Sequence, residues 1–206
     1  GARHARGTYL LFLNADTLMH AGTLEKCVRY LSLHEQVGAL GVRTLLPNGR
    51  LDHACKRGFP TPTSAFYYFS KLDRILPRSR HLGAYRATYL DEKTIGEVDS
   101  VAGSFLMMPR EIFEEIHGFD ETFFMYGEDL DLCFRVKQKG YQVIYYGEVS
   151  ITHLKGQSGL HTKSKTVVFH FYNAMKIFYQ KHYEQDHALF VNFLVRFAIH
   201  LKYCIA

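Results

Sequence analysis

Three short stretches gather the oxygen and nitrogen ligands that can bind a cation, move a proton or hold a phosphate. In the first, Asn14-Ala15-Asp16 follows directly on an apolar run at residues 9–13. An acid just past the C-terminal end of a buried strand lies where open α/β sheets bind their ligands. A hard oxygen ligand there suits a magnesium or manganese ion that also takes diphosphate oxygens. A plainer alternative is that Asn14 and Asp16 form an Asx turn and cap the helix that follows. The second stretch, Tyr126-Gly127-Glu128-Asp129-Leu130-Asp131, crowds three carboxylates into the first turn of a helix. Either they complement the helix dipole, with Asp131 paired to Arg135 one turn on, or one of them projects into a cleft as general base while its neighbours orient it. The third is His153 at a strand end, followed by a loop with Gly156, Ser158 and Gly159. Neutral imidazole ligates manganese well, and such a loop can approach phosphate closely, although a lone histidine is more often a surface or capping residue.

The elements around these stretches alternate strand and helix, which specifies an α/β domain with a mainly parallel sheet. Residues 8–13 lack polar alternation, as in a strand buried on both faces. Leu24, Cys27, Val28 and Leu31 recur at helical spacing, so residues 23–34 form an amphipathic helix with Thr23 as its cap. Residues 37–44 are the next strand, and Pro47-Asn48-Gly49-Arg50 is a turn. Residues 56–97 read as a variable insertion. A strand at 98–108, interrupted by Gly103, leads into a short helix from Pro109 to Gly118. A helix at 128–139 stops at Gly140, and two short strands at 141–146 and 148–152 lead to His153. Two aromatic-rich helices, at about 163–183 and 187–203, close the chain.

With 206 residues, 47% hydrophobic and 22% charged, the chain can bury one sizeable core. A net charge of +5 favours anionic partners. The basic residues are dispersed and no nucleic-acid motif accompanies them, so nucleic acid ranks last among those partners. Cys27, Cys55, Cys133 and Cys204 are too widely spaced for a zinc knuckle or a disulfide framework, and they read as reduced thiols suited to the cytosol.

In this order and context the three stretches resemble the inverting family 2 glycosyltransferases of GT-A fold, in particular their bacterial rhamnosyltransferase-like branch. Residues 6–17, Arg-Gly-Thr-Tyr-Leu-Leu-Phe-Leu-Asn-Ala-Asp-Thr, look like the strand leading to the family's Asp-x-Asp position, here as Asn-x-Asp. Residues 101–110 are similar to its glycine-bearing strand beneath the acceptor. Gly118-Phe119-Asp120-Glu121 is similar to its Gly-Gly-Phe-Asp-Glu turn, with His117 in place of the first glycine. Residues 126–135 resemble the acidic motif that supplies the base, and His153 with Gly156 and Ser158 resembles the His-x-x-Gly-x-Ser stretch.

The resemblance implies a nucleotide-diphospho-sugar transferase fold, Rossmann-like, with a mixed sheet flanked by helices. It implies Asp16 and His153 as ligands of a divalent metal, Mn2+ or Mg2+, with Asn14, Gly103, Ser104 and Glu128 around the donor and Asp129 as the catalytic base. The implied partners are a nucleotide-diphospho-sugar donor, with dTDP-rhamnose a candidate, and a glycan or lipid-linked glycan acceptor of cell-surface polysaccharide synthesis. The family's nucleotide-binding strands precede the metal motif, so the expectation is a truncated domain: residues 1–160 as its metal-binding and acceptor half, residues 161–206 as a helical extension. The alternative is a non-catalytic binding or scaffolding fragment of such an enzyme.

Asn192, Arg196 and His200 recur every fourth position along an otherwise apolar terminal helix. Three placements stay open: the helix lies in a membrane interface, it turns its polar stripe to a further segment, or it docks on the domain; Arg196 and Lys202 disfavour a spanning helix. The expected location is the cytoplasm, at the inner face of the cytoplasmic membrane.

Overall fold

The structure, a computed structural model, describes residues 1–155 and 165–206. Tyr9–Leu13 (β1) is followed by Thr17–Met19 (β2), Thr23–Leu33 (α1) and Val37–Leu45 (β3). Pro62–Phe69 (α2), Ile95–Glu97 (β4), Phe105–Pro109 (β5), Arg110–Glu115 (α3) and Glu128–Gln138 (α4) come next. Gln142–His153 (β6), Lys165–His182 (α5) and Leu189–Ile205 (α6) complete the order. One six-stranded sheet runs β1-β5-β3-β6-β2, with β4 also on β6.

The α/β class, the flanking helices and the mixed sheet are as the family resemblance implies, whereas the mainly parallel sheet read from the strand and helix alternation is not found. Among the described residues only β3 and β6 pair in parallel. β5 runs against both β1 and β3, and β2 and β4 run against β6. Alternation then divides the core into two layers, because successive strand residues face opposite sides. Leu106, Met108, Val143 and Tyr145 meet Leu132, Cys133 and Val136 of α4 on one face. Phe105, Met107, Ile144 and Ile151 meet Cys27 and Leu31 of α1 on the other.

Several local expectations are corrected. The strand expected at 98–108 begins only at Phe105, because the preceding backbone is committed elsewhere: Ser100 and Arg57 exchange their amide bonds, and Phe105 N–H donates to Ala102 O. The two strands expected at 141–146 and 148–152 are one, β6, whose register against β3 jumps between Tyr146 and Ser150. Gly147 permits the jump, since its N–H donates to Thr94 O and a Cβ there would lie 2.4 Å from that oxygen. Thr23 does not cap α1. Gly22 takes the cap position with φ 75°, and the Thr23 hydroxyl donates to Ser150 O at 3.1 Å, fastening α1 to β6. Residues 56–97 are tied to the domain, with the buried Lys56 ammonium donating to Ala87 O and Leu90 O.

α5 is held by a buried charge cluster. Asp131, fully buried on α4, accepts from Arg135 Nε at 2.7 Å, Lys181 Nζ at 2.6 Å and His182 Nε2 at 2.8 Å. Burial opposes its charge, but these donors overrule burial and hold its carboxyl below the ordinary range. Asp120, bonded to Lys181 at 2.5 Å, is lowered to about 2. Both folded values are depressed, so this support is present above the ordinary carboxylate pKa and is lost as pH falls through the folded values. Asp131→Asn is expected to cost about 3 kcal/mol in urea denaturation, since removing one partner leaves buried cations uncompensated. Amide exchange should rise along α5; a loss under about 1 kcal/mol with α5 protection intact would show that apolar packing alone seats that helix.

Candidate active site

Asp16 and His153 are 137 residues apart in sequence, yet His153 Nε2 lies 3.1 Å from Asp16 Oδ1. The cause is the β2–β6 ladder, which was not foreseen. Thr17 stands opposite His153, and Leu154 N–H donates to Asp16 O at 2.8 Å, so the residue before one strand and the end of the other must meet. Asn14 is fixed beside them by its N–H to Ser104 O, and its Nδ2 is 3.4 Å from His153 Nε2. His20 is bonded to Ser150 Oγ and Thr152 Oγ1.

Asp52 and Lys155 were not singled out from the sequence. Asp52 Oδ2 faces His153 Nδ1 at 3.8 Å and accepts from Lys155 Nζ at 2.8 Å. The first distance is too long for a hydrogen bond, so Nδ1 is a buried atom without a partner among the described residues. Burial opposes ionisation of Asp52, but the Lys155 bond and charge overrule it and hold the carboxyl below its ordinary range. The imidazole is therefore oriented by its bond to Asp16. Gly156, Ser158 and Gly159 lie outside the described residues.

Across the cavity stands the start of α4. The chain enters it through two consecutive left-handed residues, Tyr126 at φ 66° and Gly127 at φ 82°. Glycine adopts this freely, whereas tyrosine is strained by it, the kind of outlier that clusters at functional sites. The turn throws Glu128 and Asp129 into the cavity. Asp129 Oδ2 accepts from Arg57 Nη2 at 2.7 Å and Gly103 N–H at 3.0 Å, and Oδ1 accepts from Leu130 N–H at 2.8 Å. A carboxylate has about four acceptor positions, so three are used and the one left is on Oδ1. The role of Gly103 is thereby specified: its amide orients Asp129.

Arg57 was placed in the variable insertion, and no local pattern marks it. Its backbone is pinned by the exchange with Ser100, which only the tertiary structure provides. Burial disfavours its charge, but Asp129 overrules burial and holds the guanidinium more firmly protonated than usual.

Asn14, Asp52, Arg57, Ser104, Glu128, Asp129 and His153 line a single cavity of about 550 Å³. Buried polar atoms are normally satisfied. Among the described residues eight buried side-chain polar atoms lack partners, and four of them, Arg57 Nε, Ser104 Oγ, Glu128 Oε2 and His153 Nδ1, belong to residues of this wall. That is the signature of a polar ligand site. Burial, and then the neighbouring Asp129 charge, push the Glu128 carboxyl up.

Residues 1–170 match the family described as glycosyltransferase like family 2. The chain belongs to that family. Relatives of this family 2 chain include an N-acetylglucosaminyl-diphospho-decaprenol L-rhamnosyltransferase of Mycobacterium tuberculosis, 28% identical over 73% of this chain and 48% of the relative. Rhamnosyltransferase WbbL of Escherichia coli K12 is 28% identical over 69% of this chain and 51% of that protein. The chain thus spans about half the length of these curated relatives. The O-antigen biosynthesis protein RfbC of Myxococcus xanthus is 28% identical over 76% of this chain and 12% of its own. The fold is similar to that of GalNAc-T7, solved with UDP, GalNAc and Mn2+, at a TM-score of 0.53 and 14% identity, covering 85% of this chain and 32% of the other.

In this family 2 chain the residues present fit a divalent metal in a specific way. No group of three or more His, Cys, Asp or Glu side chains suited to a metal occurs among the described residues. Asp16 Oδ1 and His153 Nε2 supply one hard and one borderline donor side by side, which leaves the other positions to diphosphate oxygens and water, the pattern expected for Mg2+ or Mn2+.

The raised Glu128 carboxyl gives a pH prediction. Between the ordinary glutamate value and the raised folded one, the native state holds a proton that the unfolded chain has released, so stability falls as pH rises through that window. Glu128→Gln removes the effect, and its urea midpoint is expected to gain on that of the unsubstituted chain from about pH 4 to pH 8. A difference that stays flat with pH would mean that Glu128 is not desolvated as the geometry requires.

Proposed function

We propose that this chain carries the metal-binding and acceptor half, residues 1–160, of an inverting glycosyltransferase that moves a sugar from a nucleotide-diphosphate donor to a lipid-linked glycan of the cell surface. dTDP-rhamnose is the donor the relatives favour, since two of them are named rhamnosyltransferases. The observation that carries the reading is one cavity with His153, bonded to Asp16 behind it, on one wall and the clamped Asp129 on the other.

Asp16 and His153 would hold the metal, which supplies charge neutralisation for the departing diphosphate. Ser104 Oγ and the Arg57 edge are placed to receive donor or acceptor oxygens, and Glu128 Oε2 to pair with a sugar hydroxyl. The acceptor hydroxyl oxygen attacks the anomeric carbon as the bond from that carbon to the diphosphate oxygen breaks, its electron pair leaving with the diphosphate. The hydroxyl proton passes to Asp129 Oδ1, the oxygen with an unused position. Attack from the face opposite the leaving group inverts the centre in one displacement. Arg57 and the Gly103 amide keep Asp129 from rotating out of line. Residues 161–206 act as the helical extension, at the inner face of the cytoplasmic membrane.

Asp129→Asn is expected to lower transfer by roughly 10²–10⁴-fold, the range for loss of a positioned base, while calorimetric binding of nucleotide diphosphate with Mn2+ stays within about twofold. Retained turnover would remove Asp129 from this role. Asp16→Asn and His153→Ala should instead abolish the Mn2+-dependent part of nucleotide binding. Metal-independent binding in the unsubstituted chain, or none, would favour a scaffolding fragment.

A further inference from the structure

Of the polar positions of α6, Asn192 faces the domain, while Arg196 and His200 are exposed. Asn192 is buried, accepting from Tyr179 Oη at 2.7 Å and donating to Glu184 O at 2.9 Å and His187 O at 3.2 Å, and Arg196 pairs with Glu184. The face beside these residues is apolar and open. Leu189, Phe193, Phe197, Leu201 and Ile205, every fourth residue, are 87, 64, 54, 47 and 74% exposed. No described helix is long and apolar enough to cross a membrane.

Between α2, α5 and α6 lies a second cavity of about 410 Å³. Its α6 wall is Val191, Leu194, Val195, Ala198, Ile199 and Leu201, with the Lys202 ammonium stacked over the Phe69 ring at 5.0 Å as a cationic rim. The groove adjoins the reaction cavity. Pro60, Ala65, Phe69, Tyr172, Met175 and Phe178 line both. One side of the groove therefore borders the cavity of Asp129, and the other belongs to the exposed apolar helix, since Leu194 and Leu201 are both groove wall and exposed surface.

We propose that this groove seats the hydrocarbon chain of the lipid-linked acceptor, so that head and tail of one molecule occupy the two adjoining cavities while the outer stripe of α6 rests on the lipid surface from which the chain emerges. The inference rests on the transferase reading above and deepens it. Sugars and nucleotides offer nothing to so apolar a channel, whereas an isoprenoid chain gains from leaving water there. A partner protein lodged in the groove would wall off the shared side and with it the cavity of Asp129. A lipid tail instead delivers its own head group to that cavity, and a helix with an exposed apolar face and a basic rim suits an interface.

The test is photolabelling of the 206-residue chain with a benzophenone-tagged farnesyl diphosphate, located by peptide mass spectrometry. Labels are expected on α2 and on residues 191–202, competed by untagged prenyl diphosphate. Ala198→Trp, which fills the groove at an exposed position, and Leu194→Glu, which puts a charge in it, should each weaken competition at least about tenfold. Leu33→Trp on the remote surface of α1 should leave it unchanged. In all three variants Mn2+-dependent nucleotide binding should be unaltered. Uncompeted labelling spread over the outer stripe and loops overturns the proposal. So does concentration-dependent self-association that Ala198→Trp abolishes, because the groove would then belong to a second copy. Groove labelling without nucleotide binding sinks the transferase reading alone; nucleotide binding without groove labelling sinks this inference alone.

Discussion

The pairing of β2 with β6 is the constraint on which the site depends. Three residues of antiparallel ladder set Thr17 against His153 and so bring Asp16 within 3.1 Å of the imidazole. Hydrogen-bonded register is discrete, and a slip by one residue turns every side chain to the other face. A weaker device, such as a mobile loop, could not hold an imidazole and a carboxylate at ligand spacing without a large entropic cost. Here the sheet that forms the core also sets the spacing.

The opposite wall is organised differently, by charge rather than by register. Asp129 is held by two amides and a guanidinium, and Arg57 by the backbone exchange with Ser100. A clamped carboxylate offers one remaining acceptor position in a fixed direction, which a solvated one does not. Two residues along, Asp131 uses the same chemistry for architecture, turning inward to join α4 to α5 through Arg135, Lys181 and His182. The acidic start of α4 therefore divides its labour: Glu128 and Asp129 face the cavity, and Asp131 faces the core. Only Asp131 had a partner foreseeable from spacing, the i+4 arginine.

The apolar helices extend this division outward. Asn192 and Arg196 spend the polar groups of α6 on Tyr179 and Glu184, leaving an apolar face without a described partner. Exposed apolar area of that extent marks an interaction surface.

The sequence by itself determined the element types, the acid after the first strand, the acidic helix start and the terminal histidine, together with the family that their order resembles. Those features are local: periodicity, caps and turn residues act over a few positions, and a motif is read off neighbouring letters. It did not determine that β5 runs against β3, that residues 98–104 leave the ladder, that Thr23 bonds Ser150 rather than capping α1, or that Asn192 faces inward. Arg57, Asp52 and Lys155 were illegible as site residues for the same reason. Each acquires its role from a partner 72, 101 or 103 positions away, and a contact across such a distance is set by which strands pair and in what register, a choice made by the energy of the whole packed sheet rather than by any segment of it.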